Sequence, residues 1–289
     1  MSRTAGIAIV TAICFAECAV RMVVSEPESI SLPDGRTLAF ATYGEPDGKP
    51  LLFHHGTPGS SHLGALLSDP ARTRGVRVIA PSRPGYGQSD PNPDGTFETW
   101  ATDCRALIDA LGLESVAVAG FSGGGPYALA VAARHADRVS DVGVVGAPVP
   151  AHDGGPFGPL VRWPRLLGLA FRIGLLVARL RGDRAVVEQL TDRSVDDETA
   201  RIVGRDFRVG LSAGPSGAVR ESRTLATAWS PSLPDGGVTV WHGVDDENAP
   251  IDPVRTAYED RSAVTLNEVD DDHLGTLCSV RDDVVGLVD

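Results

Sequence analysis

The chain has 289 residues, 42% of them hydrophobic, and a formal net charge of −12 from 38 acidic against 26 basic side chains. That composition supports one large α/β domain or two small ones and argues against disorder. An acidic surface repels phosphate groups, which excludes nucleic acid as the expected partner and disfavours docking on anionic lipid.

Cys14, Cys18, Cys104 and Cys278 have neither the paired spacing of a zinc site nor the density of a disulfide framework, so neither a metal nor a cofactor is expected. Arg3 precedes an apolar run, Ala5–Ala16, of the length of a signal-peptide core. Glu17 interrupts it and the cleavage-site pattern is poor. Residues 1–21 are therefore read as lying outside the fold, with Met22 as a candidate start. The expected location is the cytoplasm, or outside the cell if residues 1–21 act as a signal.

Ser29–Leu32 and Arg36–Tyr43 flank Pro33-Asp34-Gly35, a hairpin signal. Leu51–His55, Val76–Ala80, Ser115–Ala119 and Val142–Val145 are short apolar runs of the kind buried strands show. Between them, Trp100, Ala101, Cys104, Leu107, Ile108 and Leu111 recur at helical spacing over Phe97–Leu113, and Pro126–Ala136 continues the alternation. Strands alternating with helices predict a mainly parallel, doubly wound sheet covered on both faces. The alternation stops near Pro148. Residues 151–229 read as helical, and the apolar stretch 159–181 carries Arg162, Arg165, Arg172, Arg179 and Arg181, too many charges for an integral membrane span. Strand Val238–His242, helix Pro253–Asp260, strand Ala263–Val269 and a last helix from about Leu274 then resume the pattern. The α/β core is thus assigned to residues 22–150 and 230–289. The insertion 151–229 is too long to be structureless and is expected to form a helical cap over a pocket.

Gly120-Phe121-Ser122-Gly123-Gly124 reads G-x-S-x-G between a strand-like and a helix-like run. A serine on such a sharp turn has its hydroxyl pushed clear of the sheet, and the following helix aims backbone N–H groups at the same spot. Serine needs a base, and the base needs an acid to orient it. Of the downstream histidines, His135 falls in a helix, His152 begins the insertion and His242 sits in or at the end of a strand. His273 follows a strand and the acidic turn Asp270-Asp271-Asp272, at the sheet edge where open α/β sheets place their sites. The acid is sought after the preceding strand, where Asp245, Asp246 and Glu247 are adjacent. Asp246 is chosen, with Asp245 as runner-up. The oxyanion donors are expected to be the N–H groups of Gly123 and of Thr57, the latter in the turn His55-Gly56-Thr57-Pro58-Gly59, where Pro58 has no N–H to give.

HGTPG at 55–59, SRPGYGQSD at 82–90, GFSGG at 120–124, GVDDENAP at 243–250 and Asp272-His273 occur in the order seen in α/β-hydrolase fold serine hydrolases. The chain resembles that family from about Val23 to Asp289. The resemblance implies Ser122 as nucleophile, His273 as base, Asp246 as orienting acid and Thr57 with Gly123 as oxyanion hole. It also implies that the insertion is the family's cap and that residues 82–87 form its loop after the fourth strand. The expected activity is hydrolysis of an ester-type bond in a small or medium apolar substrate through an acyl-enzyme. Trp163, Leu166, Leu167, Leu169, Phe171, Leu175 and Leu176 are expected to pack the cap, line the pocket, or both. Alternatives on the same triad are a prolyl-type aminopeptidase, which would need carboxylates such as Glu188, Asp192, Asp196, Asp197 or Glu198 for the substrate amine, a carbon–carbon bond hydrolase, and a cofactor-free perhydrolase. A non-catalytic ligand-binding protein is the remaining alternative.

Overall fold

A computed structural model describes residues 27–149, 155–227, 233 and 237–289. The apolar segment 1–21, His152 and the proposed boundaries at 150 and 230 lie outside the described residues.

Strands β1 (Glu28–Ser31) and β2 (Thr37–Gly44) form the antiparallel hairpin, closed by Gly35 at φ 87°. Next come β3 (Lys49–His54), a 3₁₀ helix (Ser61–Leu67), α1 (Ser68–Arg74) and β4 (Val76–Pro81). Helix α2 (Phe97–Ala110) starts at a reciprocal Thr96–Thr99 capping box and stops short of Leu113, because the chain turns at Gly112, φ 66°. Strand β5 (Val116–Phe121) leads through the 3₁₀ turn Ser122–Gly124 into α3 (Gly125–Arg134), and β6 (Val139–Val145) follows.

Between β6 and β7 the described chain is helical: a 3₁₀ helix (Gly155–Arg162), α4 (Pro164–Arg181), α5 (Arg184–Val187), α6 (Asp197–Gly210) and α7 (Ser216–Leu225). The core then closes with β7 (Val238–Gly243), α8 (Ile251–Tyr258), β8 (Val264–Val269), α9 (His273–Ser279) and α10 (Arg281–Val285). The last helical region is therefore two short helices, and it begins on His273 itself.

The eight strands lie in the order β1-β2-β4-β3-β5-β6-β7-β8, with β1–β2 and β2–β4 antiparallel and all other pairs parallel. Alternate residues of the central strands feed opposite cores. Leu51, Phe53, Val78, Ala117 and Ala119 pack with Leu63, Leu67, Leu277 and Val284, whereas Leu52, Ile79, Val116 and Val118 pack with Trp100, Leu107 and Ile108 of α2 and Val131 of α3. The chain runs outward from β3 to β4, then returns to place β5 on the other flank of β3. This reversal leaves a crevice beyond the C-terminal ends of β3 and β5.

Candidate active site

Thr57 follows β3 and Ser122 follows β5, so pairing of these two strands, with His54 opposite Gly120, brings the two turns together at the crevice. Ser122 has φ 53°, the one positive φ of a non-glycine residue among the described residues. Such a conformation is strained for an L-residue and marks a sharp reversal. Gly120 makes that reversal possible, because a Cβ there would collide with the carbonyl oxygen of Gly124. Helix α3 starts immediately afterwards, directing its unsatisfied N–H groups toward the serine. A Cβ on Gly123 would strike Thr57 Oγ1, so the two candidate oxyanion residues lie in contact.

Adjacent parallel strands β7 and β8 deliver the other two groups. His273 Nε2 lies 2.9 Å from Ser122 Oγ, and His273 Nδ1 lies 2.7 Å from Asp246 Oδ2. The second carboxylate oxygen of Asp246 accepts the backbone N–H groups of Asn248 and Ala249 at 2.9 and 2.8 Å, which fixes the plane of the carboxylate. Asp246 and His273 are buried. Asp245 instead points outward and pairs with Arg193 at 3.2 Å. Asp272 caps α9 through Gly275 N–H and thereby sets His273 at the first helical position, where the Phe121 ring packs against the imidazole at 4.8 Å. His242 lies in the buried part of β7 and donates from Nε2 to Ala249 O at 2.6 Å; burial holds its pKa below the ordinary histidine value.

Ser122 and His273 line a cavity of about 410 Å³. Leu63, Phe121, Val186, Leu190, Val203, Phe207 and Leu225 supply most of its apolar wall, with Thr57, Gly123, Ser122 and His273 at the reactive end. None of the seven apolar residues from 163–176 lines it. Leu167 and Phe171 pack against Tyr86, Leu211 and Ala218, and Trp163, Leu166, Leu169 and Leu176 face outward. Within the helical segment the wall residues come from α5, the turn after it, α6 and α7, which pack against α4. Glu188, Asp192, Asp196, Asp197 and Glu198 are exposed and do not line the cavity. Asp196 caps α6 through Thr199 N–H at 2.6 Å.

Two carboxylates not singled out in the sequence occupy more consequential positions. Asp206 of α6 lines the cavity, and its Oδ1 accepts Ser60 N–H, Ser60 Oγ–H and Leu63 N–H at 2.7, 2.9 and 3.1 Å. Burial pushes its pKa up to about 7 despite those donors. Glu221 of α7 forms a fully buried pair with Arg83, which donates from Nε and Nη2 at 2.7 and 2.9 Å. Burial alone would raise the Glu221 pKa, but the Arg83 charge and its hydrogen bonds outweigh it, and the carboxylate stays ionised. Tyr86 Oη and Thr57 Oγ1 also donate to Glu221, at 2.8 and 2.9 Å. The remaining Arg83 donors hold His55 O and Gly56 O at 2.5 and 2.9 Å. Through Arg83 the 82–87 loop thus fastens the turn that carries Thr57. Both partners carry ordinary charged-residue letters 138 positions apart, so no local sequence signal links them.

Among the described residues no three His, Cys, Asp or Glu side chains are grouped to hold a metal. Nor is any described helix long and apolar enough to cross a membrane.

Residues 49–163 match a family model described as the alpha/beta hydrolase fold. A non-heme chloroperoxidase of Streptomyces lividans is 36% identical over 124 residues, covering 42% of this chain and 45% of that protein. A 2-hydroxymuconate semialdehyde hydrolase of Pseudomonas putida is 35% identical over 108 residues, covering 35% of this chain and 37% of that protein. The aligned segments therefore span less than half the length of either relative. In overall structure the chain is similar to an esterase from Exiguobacterium antarcticum, with a TM-score of 0.69 at 22% identity over 90% of this chain and 97% of that one. Strand order, the crevice at the strand reversal and the matched segment together show that the chain has the α/β-hydrolase fold.

Proposed function

We propose that the protein is a serine hydrolase that cleaves an ester-type bond in a small or medium apolar substrate. The observation that carries this reading is the continuous relay Ser122–His273–Asp246, with spacings of 2.9 and 2.7 Å, at the end of an apolar cavity of about 410 Å³. Ser122 Oγ attacks the ester carbonyl carbon as His273 Nε2 removes its proton. Asp246 holds Nδ1–H and stabilises the imidazolium. The resulting oxyanion is held by the N–H groups of Gly123 and Thr57, which need no reorganisation at the moment of attack. Collapse expels the alcohol with the proton from His273. Water then enters, gives its proton to the same nitrogen and releases the acid from the acyl-serine. In this reading residues 151–229 act as the cap, with α5, α6 and α7 shaping the acyl or alcohol pocket.

Short p-nitrophenyl esters should be hydrolysed, a fluorophosphonate should label Ser122, and Ser122→Ala should abolish both. Absence of both turnover and labelling in the wild type would falsify the proposal. The two curated relatives motivate a second reading of the same triad, as a carbon–carbon bond hydrolase or a perhydrolase. A vinylogous diketone substrate and a peroxide-plus-carboxylate assay, run beside the esters, rank these chemistries by kcat/KM. The aminopeptidase alternative has less support, since the cap carboxylates it called on lie away from the cavity.

A further inference from the structure

Helix α4 presents two apolar faces. Leu167, Phe171 and Ala178 face inward and are buried. On another side of the helix, Leu166, Leu169, Ile173, Leu176 and Leu180 recur at three- and four-residue steps, with Trp163 just before the first turn. These six side chains are between 52% and 76% exposed. They form a continuous stripe, and the packing of Leu167 and Phe171 prevents the helix from rolling to bury it. A soluble surface rarely keeps such a stripe without a use for it.

The charges beside the stripe say what covers it. Arg165, Arg172 and Arg179 stand seven residues apart and so line one edge of the stripe, while Arg162 and Arg181 lie near its two ends. All five are exposed, and none has an ion pair among the described residues. No Asp or Glu occurs between Asp153 and Asp183, in a chain with 38 acidic residues. The acidic excess that disfavours phosphate partners for the chain as a whole is therefore reversed on this face.

We propose that the exposed face of α4 docks in the plane of an anionic phospholipid bilayer. The leucines, Ile173 and Trp163 would enter the headgroup–acyl boundary, and the arginines would pair with lipid phosphates. At 18 residues α4 is roughly 27 Å long, and its arginine row favours lying in the interface over crossing it. The acidic remainder of the molecule is repelled by the same surface, which selects the orientation with α4 down. A second copy of the chain is a poorer occupant. Antiparallel pairing of two such stripes sets the arginine row against itself, and the stripe offers no carboxylate in return. The apolar segment Ala5–Ala16 likewise carries no acidic residue. This inference is independent of the reading of Ser122.

The test is sedimentation of the full-length protein with large vesicles of phosphatidylcholine, with and without phosphatidylglycerol. Binding should require phosphatidylglycerol and weaken with added salt. Leu169→Glu/Ile173→Glu should lower the vesicle partition coefficient at least about tenfold, with the thermal melt unchanged, since both side chains are exposed. Arg172→Gln/Arg179→Gln should lower it about fivefold per arginine and remove most of the lipid preference. If the double glutamate variant melts early, Leu169→Ser/Ile173→Ser serves in its place. Three results would each overturn the proposal: no vesicle binding by the wild type, equal binding by the Leu169/Ile173 variants, or a wild-type dimer in light scattering that those same substitutions dissolve.

Discussion

Replacing Glu221 with Gln tests whether the buried Arg83–Glu221 pair holds the turn that carries Thr57. The substitution keeps the size and shape of the side chain and removes one charge. Both Arg83 and Glu221 have 0% side-chain exposure, so the guanidinium is left charged with no counter-ion and no water. Breaking a buried pair by removing one partner costs about 3–5 kcal/mol. For a domain of this size each kcal/mol moves Tm by about 2–4 °C, so a fall of roughly 10 °C is expected. Catalysis should suffer as well. Glu221 accepts from Thr57 Oγ1, and Arg83 holds His55 O and Gly56 O, so the variant loosens the turn that presents the Thr57 N–H. A loosened oxyanion donor lowers kcat while leaving KM nearly unchanged, by about tenfold or more. The assays are urea unfolding, a thermal melt and p-nitrophenyl ester kinetics. A double-mutant cycle with Arg83→Met should give a coupling of at least about 2 kcal/mol. A stability loss under about 1 kcal/mol with unchanged kcat would show that the pair neither balances a buried charge nor sets the turn, and would sink the argument.

Two further outcomes follow from the same geometry. Asp246→Asn keeps the acceptor for Asn248 and Ala249 N–H but cannot stabilise the His273 imidazolium, so kcat on esters should fall by about 10⁴ with the melt little changed; retention of a tenth of the wild-type rate would exclude Asp246 as the orienting acid. For Asp206 the native pKa, about 7, lies above the ordinary 3.8 because the group is buried. The folded state therefore holds the extra proton, and stability should drain away as pH rises from about 4 through about 7, by on the order of 4 kcal/mol over that window. Asp206→Asn should flatten this slope, and superimposable pH–stability curves for the two proteins would rule the assignment out.

What was readable in the sequence was what is local or ordered along the chain. Ser122 was legible because its setting, a strand, a glycine-flanked turn and a helix, is contained in about twenty consecutive residues. His273 and Asp246 were legible because each follows one strand of a sheet whose order is set by alternating strands and helices. The sequence favours Asp246 with Asp245 as runner-up, and the structure brings Asp246 to His273 while Asp245 pairs with Arg193. Neighbouring loop residues point in different directions, and only the turn after β7 decides which carboxylate meets the imidazole. The helical segment was the least legible part. Its apolar residues mark it as helical, but a 3.6-residue period says nothing about which side meets a neighbour. Leu166, Leu169 and Leu176 therefore lie on the outer surface, away from the cavity. Arg83 with Glu221 and Ser60 with Asp206 are pairs whose partners are 138 and 146 residues apart, joined by the fold alone.

Those long-range pairs share a pattern that bears on how specificity and chemistry are connected. Several strong polar ties from the helical segment end on or beside the loops that carry candidate site residues. Glu221 of α7 reaches Thr57 and its supporting arginine. Asp206 of α6 reaches Ser60 and Leu63, just beyond the same turn. Thr191 Oγ1 and Asp192 N–H, between α5 and α6, both donate to Asp272 at 2.7 and 2.8 Å, the residue that caps the helix beginning at His273. The same helices line the cavity with Val186, Val203, Phe207 and Leu225. A substrate that displaces α5, α6 or α7 must therefore pull on the turn carrying Thr57 or on the cap of the helix that begins at His273. Substitutions in the cavity wall that shift these helices should change kcat along with KM, whereas changes on the outer face of α4, which contributes none of these ties, should leave both constants alone.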